Sequence, residues 1–534
     1  MKGRDEGANR KGISRRDFLK GIGVATLATL VASTVPRRVF SQVKYGGVLH
    51  VDLHDNPPSL DDHVHMLRIV NLPGCNIHEP LIYQDESTRE LYPALATEWE
   101  YIDPQTFSLT LRDGVQFHNG EPFTAEDVKY TIERIQNPET GSYMALWLEE
   151  IEEVEIVDPL HVRLHLTKPL RGLPEILSRP PIHSHTETEE EILTKPIGTG
   201  PFKFVEWVQH DHITLEKNPK YWERSLPYLD GLVYHVIPDA TTRLSNLLTG
   251  QLDVLHNIDP KDVSRLAAMS GVIVGNPSFN DILDFCYINC RPGSPFASKE
   301  LRQAFAYAFN SEEWYKVAMH GLGFTNRSCF CPGHWAHHPG IAHAYPHDME
   351  KAKELLSAAG YPGGKGLEKI QLITLIGFPE WATGNEMIQA AFGELGVDAE
   401  IKVVDTATWI DLLITNPDPK RAHISWDHPL FGASEPVLFY KIPWTHAVNP
   451  KNICGLQTIP GVEEYAEYVE KGNTAPEREE RKKWYFKAQE WYTERVPGLQ
   501  HGFRVRPLAW RSWVKNFTVP YSDFARYREV WIDK

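Results

Sequence analysis

Cysteine is scarce. Six residues in a chain of 534 are too few for a disulfide scaffold. Cys286 and Cys290 share a strand-like run, where four residues separate their Cα atoms by ~13 Å. A disulfide needs ~4.4–6.8 Å, so these two do not pair with each other in such a strand. No cysteine precedes Cys75, and no lipid anchor is therefore expected at a leader. The uncharged stretch from Gly21 to Val35 covers 15 residues, short of the ~20 that a spanning helix needs. Also missing are a Walker A loop, a G-x-S-x-G elbow, an H-E-x-x-H helix and a Cys-x-x-Cys pair. His78-Glu79 runs straight into Pro80, which spoils a zinc-binding helix. Acids and histidines are abundant, yet none fall at mechanistic spacing. An enzyme is not expected, a secreted hydrolase being the reading of a different class, and no cofactor is called for.

What is present begins with an export leader. Lys2, Arg4, Arg10 and Lys11 lead into Ser14-Arg15-Arg16-Asp17-Phe18-Leu19-Lys20 and then the short apolar run. Basic region, apolar run and small residues come in the order of a cleavable signal. The Arg15-Arg16 pair closely resembles the twin-arginine signal, which carries folded proteins across the bacterial inner membrane. Cleavage is expected after Ser41, with Ser33 as the alternative, giving a soluble periplasmic protein. Loss of nine basic and three acidic residues takes the formal net charge from −16 to −22. Such a surface repels phosphate backbones and argues against nucleic acid or anionic lipid as partners.

The length exceeds one compact core, so two or three folding units are expected. Phe107, Leu109 and Leu111 alternate with polar residues and run into Asp113-Gly114, a hairpin signal. Val162, Leu164 and Leu166 repeat the alternation after a turn at Asp158-Pro159. Thr124 caps a helix carrying Val128, Ile132 and Ile135. Leu301, Ala304, Phe305 and Ala308 predict a helix with one apolar face. Ala352, Leu355, Leu356 and Ala359 predict another, running from a cap at Asp348 to Gly360. Strand-like segments cover 370–375 and 397–404. The pattern is mixed α/β, or α+β, with no internal repeat.

Leu91-Tyr-Pro-Ala-Leu-Ala-Thr-Glu-Trp99 and the block Phe107 to Val128 resemble the signature of the family 5 extracellular solute-binding proteins. Ile197-Gly-Thr-Gly-Pro-Phe202 and Asn218-Pro-Lys-Tyr-Trp222 continue the likeness in order. These are the dipeptide, oligopeptide and nickel receptors of ABC importers. The resemblance implies a two-lobed periplasmic binding protein type II clamp, with an extra small domain inserted in the first lobe. Residues 1–41 would be the signal peptide. Lobe I would comprise 42–75, 196–285 and 502–534, the inserted domain 76–195, and lobe II 286–501. A monomer is expected, capturing a peptide-like or sugar-like small molecule and passing it to permease subunits. An opine-like solute is a further possibility. Gly198 and Gly200 before Pro201 suit a tight crossing at a lobe boundary.

Peptide receptors of that family hold the ligand's ammonium group with an acid shortly after a tryptophan of lobe II. The corresponding stretch here is Ala422 to Pro436. Anchoring on Trp426 selects Asp427; anchoring on Glu435-Pro436 puts the position near Gly432. Asp427 is thus a candidate carboxylate, a solvated loop acid being the plain alternative. Trp381, Trp426, Tyr440 and Trp444 are candidate stacking surfaces, with Trp381 and Trp426 expected on loops. Arg421 and His423 could meet a ligand carboxylate. Cys331, His334, His337 and His338 have metal-ligand chemistry, but Pro332, Gly333 and Pro339 make their segment an irregular loop and no metal is expected there.

Overall fold

The structure is a computed structural model. It describes residues 43–65, 67–256, 258–277, 282–427, 435–442, 445–446, 452–520 and 524–534. The leader, with Arg15 and Arg16, lies outside them, as does Trp444.

Three larger sheets organise the described residues. A seven-stranded sheet runs in the order Val272–Gly275, Leu508–Arg511, Val254–Leu255, Val48–Leu53, Gly231–Val236, His212–Lys217, Phe202–Val208. Its central strand, Val48–Leu53, lies parallel to both neighbours, while the remaining pairs are antiparallel. A six-stranded sheet runs Gly323–Thr325, Gly498–Arg504, Ile282–Ile288, Ile424–Asp427, Ile370–Leu375, Ala399–Val404. A four-stranded antiparallel sheet of Ala96–Asp103, Thr106–Leu111, His161–Leu166 and Ile151–Asp158 belongs to the inserted segment. The first sheet carries lobe I and the second lobe II, so the fold is the expected mixed α/β clamp with an insertion. Strands Ile282–Ile288 and Gly498–Arg504 run whole through the second sheet, so the expected lobe limits at 285/286 and 501/502 each fall inside a strand.

Local chemistry explains the elements. Phe107, Leu109 and Leu111 turn their alternate side chains into the inserted domain's core, as do Val162, Leu164 and Leu166. Thr124 and Asp127 form a reciprocal capping box on helix Ala125–Gln136. Asp348 caps Met349–Ala358 by accepting from the Lys351 amide. The hairpin that sequence placed at Asp113-Gly114 turns instead at Pro104-Gln105, between the first two strands of the four-stranded sheet. After Leu111 the chain leaves that sheet, because the strand's two edges are already occupied by Ala96–Asp103 and His161–Leu166.

The inserted domain hangs on a narrow neck. The Gly200 amide donates to the Ile77 carbonyl at 2.8 Å, so the returning chain crosses the outgoing one. A Cβ on Gly198 would lie 1.9 Å from the Ile77 oxygen, and one on Gly200 2.5 Å. Only glycine admits this approach.

Candidate functional site

Strand Ile424–Asp427 lies inside the lobe II sheet, antiparallel to Ile282–Ile288 and parallel to Ile370–Leu375. Trp426 is therefore not on a loop. Its side chain is fully buried, with His501 stacked at 4.5 Å, Trp314 at 4.7 Å and the Phe309 edge at 5.6 Å. Its Nε1 donates to Asn385 Oδ1 at 3.0 Å, and Gly384 leaves the space its ring occupies. All these neighbours belong to lobe II, so the ring is a core element of that lobe. Trp381 is also buried, in helix Pro379–Glu394 rather than on a loop, with Phe378 stacked at 3.9 Å. Sequence misplaced Trp426 because a strand covered on both faces carries no alternation, and Trp381 because Gly384 and Asn385 interrupt the apolar stripe on the buried face of its helix.

Asp427 ends the strand half-buried and accepts the Tyr287 hydroxyl at 2.5 Å. Residues 428–434, including Gly432, lie outside the described set. Arg421 is exposed, its guanidinium 3.5 Å from Asp411. His423 is buried, and its Nδ1 accepts from the Gln371 amide at 2.9 Å. Burial lowers its pKa and keeps the ring neutral. Tyr440 is buried at the end of helix Pro436–Tyr440, its ring stacked on Tyr485 at 5.4 Å. The structure thus brings Asp427 to the rim of a core that holds Trp426, while Arg421 and His423 make internal contacts.

A second arrangement joins lobe II to the inserted domain. Val437 and Leu438 enter the inserted domain's apolar core. Around them Lys441 reaches Glu149 at 2.9 Å and also pairs with Glu150. Lys168 meets Glu470 at 2.7 Å, and the Arg171 amide donates to the Asn473 carbonyl at 3.1 Å. Glu149, Glu150, Lys168, Lys441, Glu470 and Asn473 border a cavity of about 580 Å³ that Tyr440 and His446 also line. Burial works against the charge of Glu149, yet the His446 and Lys441 interactions hold its pKa down at about 2. Deeper in, Arg481 pairs with Glu435, which packs on Gly172 of the inserted domain. Burial, then the nearby Glu175 carboxylate, pushes Glu435 up to about 8. Burial raises Glu175 as well. Arg481 and, more weakly, Arg478 act on both carboxylates, yet burial outweighs them and favours the protonated form.

The residues Cys331, His334, His337 and His338 point to separate partners. Cys331 Sγ lies 3.9 Å from Arg89 Nη2, and His334 stacks on Phe330 at 4.7 Å. His337 Nε2 meets Asn326 at 3.1 Å, and His338 Nε2 meets Glu490 at 3.0 Å. Sequence reasoning passed over another set, Asp62, His78 and His183, whose candidate ligand atoms lie within 4.8 Å of one another. A separation of 121 residues between Asp62 and His183 leaves no spacing to read.

Residues 90–427 match the model described as bacterial extracellular solute-binding proteins, family 5 Middle. The chain belongs to that family. Residues 12–32 match the twin-arginine translocation pathway signal sequence, and the protein is exported to the periplasm. Among the described residues no helix is long and apolar enough to cross a membrane. The family binds solutes and is not catalytic. Among its curated relatives, the glutathione-binding protein GsiB of Salmonella typhimurium is 30% identical over 317 residues, covering 57% of this chain and 59% of that one. The chain thus spans 59% of the length of such relatives. The periplasmic binding protein DppA from Helicobacter pylori, solved with the peptide STSA, is similar at a TM-score of 0.79 and 24% identity, over 92% of this chain and 99% of that one. AgaA from A. tumefaciens R10, solved with agropinic acid, is similar at 0.79 and 23%, over 91% of this chain and 99% of its own. These likenesses carry the two-lobed fold.

Proposed function

We propose that this protein captures a peptide or peptide-like small solute between its lobes and delivers it to the permease of an ABC importer, without turning it over. The observation that carries the reading is the pair of separate lobe sheets, with lobe II meeting the inserted domain through a charged contact, within a chain of the solute-binding family. Lobe II and the inserted domain meet through Lys168 and Glu470, a half-exposed pair that costs little to rehydrate, and through Lys441, enclosed between Glu149 and Glu150, whose charges must regain water when the two part. Only the filled state would then hold the closed form long enough for a permease to recognise it. Asp427, held by Tyr287 at the rim of lobe II, is the carboxylate best placed to receive a ligand ammonium. Arg421, on the same lobe, is exposed beside Asp411 and would exchange that acid for a ligand carboxylate. An opine-like amino-acid conjugate is the second reading, favoured by the likeness to AgaA. Calorimetry with di- to tetrapeptides, followed by chromatography of the recovered peptide, tests the proposal. One-to-one binding with the peptide recovered intact supports it, and cleaved peptide would replace it with a hydrolase.

A further inference from the structure

The neck of the inserted domain gathers three side chains from distant parts of the chain. Asp62 follows the first lobe I strand, His78 stands where the chain leaves for the inserted domain, and His183 comes just before it returns. All three are buried. His78 Nδ1 lies 2.9 Å from Asp62 Oδ2, and His183 Nε2 lies 2.8 Å from Asp62 Oδ1. The two ring centroids are 4.4 Å apart.

These separations suit a common ion. Ligand atoms at ~2.1 Å from zinc, set at right to tetrahedral angles, stand roughly 3.0–3.4 Å from one another. The observed nitrogen to oxygen distances, 2.9 and 2.8 Å, fall just short of that range, so an ion entering between the two imidazoles and the carboxylate they face would push that carboxylate slightly outward. Neighbouring histidines do not compete. His63 stacks on His183 at 3.9 Å, but its Nδ1 meets Arg134 at 3.1 Å and its Nε2 donates to the Pro181 carbonyl at 2.8 Å, so both nitrogens are engaged. The Arg134 guanidinium is itself taken by Asp61 at 2.7 Å and Glu189 at 2.8 Å. Among the described residues no side chain partners His78 Nε2 or His183 Nδ1, so without an ion each inner nitrogen carries the proton it donates to Asp62, and an ion taking the inner nitrogens would shift those protons to the outer ones.

We infer that Asp62, His78 and His183 bind one divalent transition-metal ion, zinc by the chemistry of the set, as a clip across the neck of the inserted domain. Two imidazoles and a carboxylate are the ligand types of zinc, with a remaining position for water. The ion is part of the scaffold and is not the transported solute. It closes a loop of 121 residues between Asp62 and His183, where a crosslink gains most from the unfolded chain's entropy. Its place beside the Gly198 and Gly200 crossing would fix the angle at which the inserted domain leaves lobe I.

The test uses full-length mature protein without a histidine tag, stripped with chelator and then titrated with zinc chloride. The inference expects one zinc per chain by elemental analysis, nitrogen and oxygen without sulfur in the X-ray absorption spectrum, and a melting temperature that rises on loading. His183→Ala and Asp62→Asn should each lose the bound zinc and the melting shift. Because either variant could fail to fold, the wild-type absorption and melting measurements stand alone as a second arm. Less than a tenth of an equivalent bound by folded wild type overturns the inference and leaves a hydrogen-bonded triad. Sulfur ligation, or zinc retained in folded His183→Ala, also overturns it by putting the ion elsewhere.

Discussion

Lys441 of lobe II sets its ammonium 2.9 Å from Glu149 of the inserted domain, with only 3% of its side chain exposed. A lysine so enclosed must be paired, because an isolated buried charge carries a heavy desolvation cost. Lys441→Met should therefore strand Glu149 and Glu150 and loosen the contact between the two units. The expected outcome is a wild-type core with faster amide exchange in 145–150 and 436–442. Unchanged exchange there would show that the pair contributes nothing to closure.

Tyr287 and Asp427 form the proposed rim of the solute site. Losing a charged hydrogen bond to a ligand costs ~1.5–3 kcal/mol, so Asp427→Asn should weaken peptide binding roughly 10–150-fold. The unliganded melting temperature should stay within a few degrees, since asparagine still accepts from Tyr287. Calorimetry with a bound peptide checks this, and equal affinity would move the ammonium site away from Asp427.

Trp426 should behave in the opposite way. Replacing a fully buried tryptophan with alanine empties the space among His501, Trp314 and Phe309. Trp426→Ala is expected to lose about 3–5 kcal/mol of stability in denaturant titration. A variant with wild-type stability and impaired peptide binding would return Trp426 to the ligand.

The Glu435, Glu175 and Arg481 cluster predicts a pH dependence. Glu435 stands at about 8 in the fold against 4.5 for a free side chain. Its protonated form is favoured by folding, so this contribution is fully present below about 4.5 and is lost as pH rises toward 8. Stability should fall across that window with a slope of at most about 1.4 kcal/mol per pH unit. Glu175→Gln removes one of the two carboxylates and should flatten the slope. Arg478, which also acts on both acids, remains in place. A slope that survives the substitution would assign the dependence to other groups.

Export rests on Arg15 and Arg16 within the matched signal. Changing both to lysine should hold the precursor in the cytoplasm by fractionation, and undiminished periplasmic protein would contradict the twin-arginine route.

Much of the scaffold was legible because its signals are local. Thr124 with Asp127, the cap at Asp348 and the glycines at 198 and 200 each act within a few residues or admit one close approach. The candidate site was less so. Trp426 lies in a strand covered on both sides, where sequence alternation vanishes, and Trp381 in a helix whose buried face is interrupted by Gly384 and Asn385. Lys441 with Glu149, and Asp62 with His183, meet across 292 and 121 positions. Only the fold brings such residues together, so no spacing rule could find them.

The central claim is that a peptide-like solute sits intact between the lobes. Native mass spectrometry of the gently purified mature protein tests it most directly. The account predicts one peptide-like molecule per chain, released on denaturation with its mass unchanged after prolonged incubation at working temperature. A chain that stays empty when offered peptides and amino-acid conjugates, or that releases cleaved fragments, would contradict it.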